Sequence, residues 1–221
     1  MRPDAPKPGT TMMEFRTSEL STREAYRLLT GVIVPRPVAW VTTLTPTGDV
    51  NLAPFSAFTL VSPQPPMVGF TVGPKKDTAQ NVRTSGEFVV NIADLSLLDA
   101  VHGSSGEYPP EISEVSELGL DTVPSVAIST PRIAKAPVQM ECRLHTIHLH
   151  GDFGTNFVVG EIVVFHIQDD LVENFRVNTL ALDPICVLQG GNYARLGETF
   201  NRTPIHGTRN PWGNAFSEDK S

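Results

Sequence analysis

Val38-Ala39-Trp40-Val41-Thr42-Thr43-Leu44, Thr45-Pro46-Thr47-Gly48-Asp49 and then Val50-Asn51-Leu52-Ala53-Pro54-Phe55-Ser56-Ala57-Phe58-Thr59-Leu60-Val61 read as strand, turn and returning strand. The first run is apolar and β-branched. The second gathers the Pro, Gly and Asp residues that reverse a chain. The third interrupts its apolar residues with Asn51, Pro54 and Ser56. Pro54 cannot donate to a sheet ladder, so irregular backbone is expected around it, with amides left over for another partner. A bulged edge strand with Phe55 and Phe58 in the core explains the same residues by packing alone.

Outward from this hairpin the β pattern continues. Pro63-Gln64-Pro65-Pro66 breaks the chain before a strand over Met67–Val72. Asp77 is expected to cap a short helix through Ser85, with Gln80 in the reciprocal position and Gly86 as terminator. Glu87–Ile92 resumes the sheet. Upstream, Ser21-Thr22-Arg23-Glu24 has capping-box form, and its helix is expected to stop at Gly31. Downstream, the polar stretch His102–Thr122 reads as an excursion over the surface. Val138, Met140, Cys142 and Leu144 then alternate with Gln139, Glu141, Arg143 and His145, which predicts a strand with one buried face. Phe157–Ile167 is another strong strand, and Asp183–Leu188 begins the last. Many strands with few short helices favour a closed β-barrel with helical decoration, in one domain.

Composition bounds the function. The chain has 221 residues, 40% hydrophobic and 19% charged, with a formal charge of −7. That balance suits a soluble globular protein and argues against a nucleic-acid binder, which needs a basic footprint. No apolar run approaches the roughly 18 residues of a membrane span, and Met1–Gly9 lacks the apolar stretch of a signal peptide. Cys142 and Cys186 suggest buried free thiols rather than a disulfide or metal framework, and hence a reducing cytoplasm.

Lys76-Asp77-Thr78 offers a phosphate grip: a helix start with unpaired N–H groups, a lysine charge and a hydroxyl. An ordinary solvated cap would look the same. Trp40 could wall off a flat cofactor or be a core residue with its N–H satisfied. Arg36, held between two prolines, could simply form a surface ion pair. His148-x-His150 would point two imidazoles to one face of a strand beside His145, but no cysteine or carboxylate completes a metal set, so none is expected. The GxSxG, Walker A, HExxH and GxGxxG patterns are missing.

From about Ala25 to Phe200, the chain resembles the flavin reductase-like family of FMN-binding split barrels, in its flavoredoxin-like branch. The resemblance rests on Arg36-Pro37-Val38-Ala39-Trp40-Val41, Asn51-Leu52-Ala53-Pro54-Phe55-Ser56, Lys76-Asp77-Thr78 and Gly86-Glu87-Phe88-Val89-Val90-Asn91. Ala136-Pro137-Val138-Gln139-Met140-Glu141-Cys142 and Gly190-Gly191-Asn192-Tyr193-Ala194-Arg195 complete it. It implies a mainly β fold, a six-stranded Greek-key split barrel with short flanking helices over residues 17–200. An N-terminal arm (1–16) and a C-terminal tail (201–221) that embraces a dimer partner would flank it. It further implies noncovalent FMN, transient NADH or NADPH, a homodimer and an oxygenase partner or other small acceptor. By position, Trp40, Val41 and Thr42 would lie near the flavin. Asn51, Ala53, Pro54, Ser56, Ala57 and Phe58 would contact its ring or ribityl chain, and Lys76 and Thr78 its phosphate. Relatives often carry a bulkier Phe-Phe-Asn where this chain has Ala57-Phe58-Thr59. The chemistry would be the cofactor's, so no catalytic side chain is assigned.

Overall fold

The computed structural model describes residues 11–109 and 112–202. The proposed embrace by the C-terminal tail falls on residues 203–221, outside the described residues, as does most of the N-terminal arm. Helix α1 spans Thr22–Val32. Seven strands build the main sheet: β1 (Ala39–Leu44), β2 (Val50–Phe55), β3 (Phe58–Pro63), β4 (Pro66–Val72), β5 (Glu87–Ile92), β6 (Val138–His150) and β7 (Thr155–Ile167). Helix α2 (Asp77–Ser85) joins β4 to β5; α3 (Leu98–Gly103) and α4 (Glu114–Glu117) lie on the connection from β5 to β6.

The strand order is β2-β1-β5-β6-β7-β4-β3, antiparallel throughout. The β6–β7 hairpin sits between β5 and β4, which are consecutive strands, so the crossover is a Greek key. The two outermost strands are β2 and β3, and only Ser56 and Ala57 separate them in sequence. A sheet whose edges are one stretch of chain must curl until those edges meet, and the result is a barrel. The expected six strands become seven because the anticipated Val50–Val61 strand breaks at that point. β2 pairs with β1, whereas β3 turns away to pair with β4.

The lumen is apolar. Phe70 packs against Phe55 and Phe88 with ring centroids 5.2 and 5.4 Å apart, and Val41, Val90, Met140, Cys142 and Val158 fill in around them. A Cβ on Gly160 would collide with the fully buried Phe88 ring, so glycine is the residue that lets β7 pass there. Helix α2 closes one end of the barrel with Ala79 and Val82. A second core, with Trp40, Leu52, Val101 and Ile133, lies between the outer face of the β1–β2 region and the β5–β6 connection.

Several expectations meet corrections. The Ser21–Glu24 capping box forms, but α1 runs through Gly31 to Val32. Gly31 instead lets Gln189 approach, whose amide donates to Arg27 O at 2.8 Å. Gly86 terminates α2 in the left-handed region at φ 72°. Cys186–Val187 forms only a two-residue strand, paired with Arg36–Pro37 and Tyr193–Ala194. The outer face of β6 is buried as well at its start, where Gln139 and Glu141 are 6% and 0% exposed beneath residues 121–133, while Arg143 and His145 are exposed. A buried carboxylate needs donors. Glu141 accepts from the Val126 and Ala127 amides, both at 2.8 Å, and has His166 Nε2 at 2.6 Å and Arg132 Nε at 3.8 Å. Both cysteines are free and buried, and burial pushes their thiols up from the ordinary range.

Burial alone would raise the Glu141 carboxyl, but the Val126 amide, His166 and the Ala127 amide outweigh it and hold it below the usual range. A depressed carboxyl contributes stability above its unfolded pKa and loses it as pH falls through the folded value. Glu141→Gln should therefore cost about 1–3 kcal/mol at pH 7, the scale of a buried donor left unpaired. The deficit should vanish below the wild-type folded pKa, where both proteins carry a neutral group. Urea melts from pH 7 down to about pH 3 check this; a pH-independent deficit would contradict it.

Candidate cofactor-binding site

β2 has a strand partner on one side only. On its other side stand side chains from the β5–β6 connection. Ser113 Oγ donates to Val50 O at 2.5 Å, and Glu114 Oε2 accepts from the Leu52 amide at 3.0 Å. Among the cavities that adjoin this edge and its extension through Ser56 to Phe58, three run from the start of α2 to the seam.

The first, 310 Å³, is bordered by Asn51, Ala53, Lys76 and Thr78, with Tyr108 and Glu114 opposite. Its floor is the start of α2. Sequence reasoning made Asp77 the cap, but Lys76 occupies the cap position and Asp77 is the first helical residue. No side chain caps this helix, so the amides of its first turn, which have no intrahelical acceptor, stay open. Open amides with a partial positive charge make an anion site. Thr78 is 1% exposed, and its Oγ1 lies 3.5 Å from Asn51 Oδ1, which also accepts from Asn81 Nδ2 at 3.3 Å. Asn51 Nδ2 in turn lies 3.2 Å from both Glu114 oxygens. Asn51 is thus locked at a polar junction between the helix start and the connection.

The second cavity, 710 Å³, lies where the β2 edge gives way to β3. Phe58 and Phe157 face it from the barrel, Tyr26 and Ile33 from the α1 region, and Ser56 and Ala57 from the seam. Its lining is mainly apolar, as a planar ring system requires. Arg36 lies on its border without an ion-pair partner among the described residues. Its guanidinium donates to the carbonyls of Thr30 (2.7 Å), Ile33 (2.6 Å) and Leu188 (2.6 Å), and Nε lies 3.4 Å from Ser56 Oγ. The third, 240 Å³, shares Pro54 and Ser56 and adds Ser105, His102 and Tyr193. His102 Nδ1 lies 3.0 Å from the Tyr193 hydroxyl, and burial pushes that phenol up.

Asn51, Ala53, Lys76 and Thr78 are therefore gathered at one cavity, and Pro54, Ser56, Ala57 and Phe58 at the next. Trp40, Val41 and Thr42 border none of them. Trp40 is fully buried in the second core with Nε1 donating to Ser104 Oγ at 2.9 Å; Val41 faces the lumen; Thr42 donates to Pro131 O at 2.7 Å. Glu107, Tyr108 and Glu114, with His102 and Ser105, were overlooked because they sit in the excursion read as surface. Their one signal was a dense run of polar residues between two apolar strands. His148 and His150 have ring centroids 6.4 Å apart, and no group of three metal-ligating side chains occurs among the described residues.

An open helix start beside a lysine thus borders one cavity along the strand edge, and an apolar slot lies at the seam beyond it. Residues 31–197 match the model of the flavin reductase like domain. The BH2278 protein of Halalkalibacterium halodurans is 40% identical over 198 residues, 86% of this chain and 95% of that one. Nitrilotriacetate monooxygenase component B from Bacillus cereus superposes with TM-score 0.85 at 37% identity, over 87% of this chain and all of that one. The Pseudomonas fluorescens 2-nitrobenzoate 2-nitroreductase NbaA does so with TM-score 0.83 at 32% identity, over 90% and all. On this extent of match, the chain is a split-barrel protein that belongs to the flavin reductase like domain family.

Proposed function

We propose that this protein binds FMN noncovalently along the β2 edge and acts as an NAD(P)H-dependent flavin oxidoreductase. The observation that carries the reading is the uncapped start of α2 beside Lys76, at a polar cavity on the β2 edge, with an apolar cavity at the seam that continues this edge. Bound FMN would supply a ring that accepts hydride from the nicotinamide and passes electrons on. The chain's own residues bind and orient. Lys76, Thr78 and the first-turn amides hold the phosphate. Asn51, with Ala53 beside it, borders the ribityl portion; Ser56, Ala57 and Phe58 meet the ring.

The similarity to a monooxygenase component supports delivery of reduced flavin to an oxygenase partner. The similarity to a nitroreductase supports a second reading, in which FMN stays bound and a small organic molecule is reduced. The 240 Å³ hollow beside Ser56, with the Tyr193 hydroxyl on its wall, is the feature that favours it. We place the protein in the cytoplasm, where its two buried free thiols would persist. We also propose a homodimer. Helix α1 buries none of its residues, and Tyr26, Leu29, Val32 and Ile33 are 65, 56, 73 and 57% exposed. Leu60 of β3 is 62% exposed as well, and exposed apolar side chains of this kind are what a second copy would cover.

Purified protein should carry or take up a yellow ligand that co-migrates with FMN on denaturation, and NADH or NADPH should bleach it under anaerobic conditions. Protein that stays colourless after reconstitution would overturn the reading; bound FMN that neither donor bleaches would leave a binding module. Extensive dialysis separates retained from exchangeable flavin. Lys76→Ala should weaken FMN roughly ten- to a hundredfold, since a charge-assisted contact contributes about 1.5–3 kcal/mol, and leave riboflavin nearly unchanged. Equal losses for both flavins would remove Lys76 from the phosphate site. Light scattering should give about twice the 24.0 kDa chain mass, and a monomer at micromolar concentration would refute the dimer.

A further inference from the structure

The cavity at the start of α2 carries a charge balance that a simple anion site would not have. Two lysines, Lys75 and Lys76, border it, against three carboxylates, Asp77, Glu107 and Glu114. Asp77 and Glu107 are exposed, whereas Glu114 is half-buried. Glu114 cannot swing away freely. Its carboxylate accepts from the Leu52 amide at 3.0 Å and from Asn51 Nδ2 at 3.2 Å, and its withdrawal would leave both donors unpaired. The same Asn51 meets Thr78 Oγ1 at 3.5 Å through its other atom. One asparagine therefore spans the gap between the hydroxyl at the phosphate position and a fixed negative charge.

We propose that Glu114, seconded by Glu107, is a counter-charge built into the phosphate site, which weakens the grip of Lys76 and α2 so that flavin mononucleotide exchanges rather than stays. The inference rests on the cofactor reading above and deepens it, since it assigns the residue that sets cofactor retention. The magnitudes support it. Two hydrogen-bond contacts in series keep the carboxylate within about one screening length of Thr78, which is roughly 10 Å at 0.1 M salt. A phosphate monoester carries about −1.5 to −2 at neutral pH, so it feels the repulsion nearly twice over. At the effective dielectric of a partly open site, this amounts to about tenfold in affinity. Riboflavin, which has no phosphate, is blind to it.

The test compares FMN and riboflavin binding, by fluorescence quenching, in the wild type and in two variants. Glu114→Gln should tighten FMN about tenfold and slow its release in proportion, with riboflavin affinity changed less than about twofold. The gain should shrink as salt rises toward about 0.5 M. Glu107→Gln should tighten FMN about two- to threefold; this exposed side chain makes no hydrogen bond at the cavity among the described residues, so its replacement leaves the scaffold intact. Thermal unfolding of the apo-proteins accompanies both. If Glu114→Gln destabilises the fold, the Glu107 variant decides: unchanged FMN affinity there overturns the inference. FMN and riboflavin shifting together in Glu114→Gln overturns it too, and makes the carboxylate a ribityl ligand or a strut. Failure of the cofactor reading looks different: a folded wild type that binds neither flavin removes that reading and this inference with it.

Discussion

The two edges of the main sheet belong to one stretch of chain, and that covalent constraint governs what else the molecule can do. β2 and β3 cannot separate by more than the two-residue seam at Ser56-Ala57 allows, so the sheet closes around Phe55, Phe70 and Phe88. Closure is not complete pairing. β2 keeps an edge without a strand, and edge groups need partners. Ser113 and Glu114 supply some of them from a connecting segment, and cavities flank the remainder. The groove is thus a by-product of how the barrel shuts, and the polar residues that border it are those the chain places at its seam.

Electrostatics divides the groove into unlike ends. At α2, backbone dipoles, Lys76 and Thr78 favour an anion, and Glu114 opposes it from a fixed position. At the seam, Phe58 and Phe157 provide apolar walls, and Gly69 lies directly beneath the Phe157 ring, where a Cβ would not fit. A ligand with a charged terminus and a flat apolar terminus has only one orientation in such a groove. Selectivity for that orientation comes from the backbone as much as from side chains.

Much of this was legible in the sequence, because local chemistry and global fold agree there. The capping box at Ser21–Glu24, the turn at Thr45–Asp49 and the left-handed Gly86 are local signals with local causes. The misreadings share a different origin. Glu141 alternates like an outward-facing residue, yet it is buried because residues 121–133 fold over it and bring two amides. The resemblance sets Trp40 near a flavin, yet packing claims its ring and Ser104 its N–H. The Asp77 side chain looks like a cap, but the helix begins one residue earlier in the cap sense, which frees the amides that matter. Glu114 and Tyr108 lie in a run whose polarity spells surface, because periodicity cannot tell water from a ligand cavity. For Glu141, Trp40 and Glu114 a long-range contact decides, and no window of sequence contains it.

Arg36 has a consequence for how distant parts of the molecule communicate. One rigid guanidinium donates to the C-terminal carbonyls of α1 and to Leu188, and also reaches Ser56 at the seam. A planar fork cannot follow one acceptor without releasing another. The exposed helix, the segment leading to Tyr193 and the ring end of the groove are accordingly a single mechanical unit. Drawing the α1 carbonyls away from the guanidinium would therefore also disturb its reach to Ser56, so the helix end and the seam share one anchor.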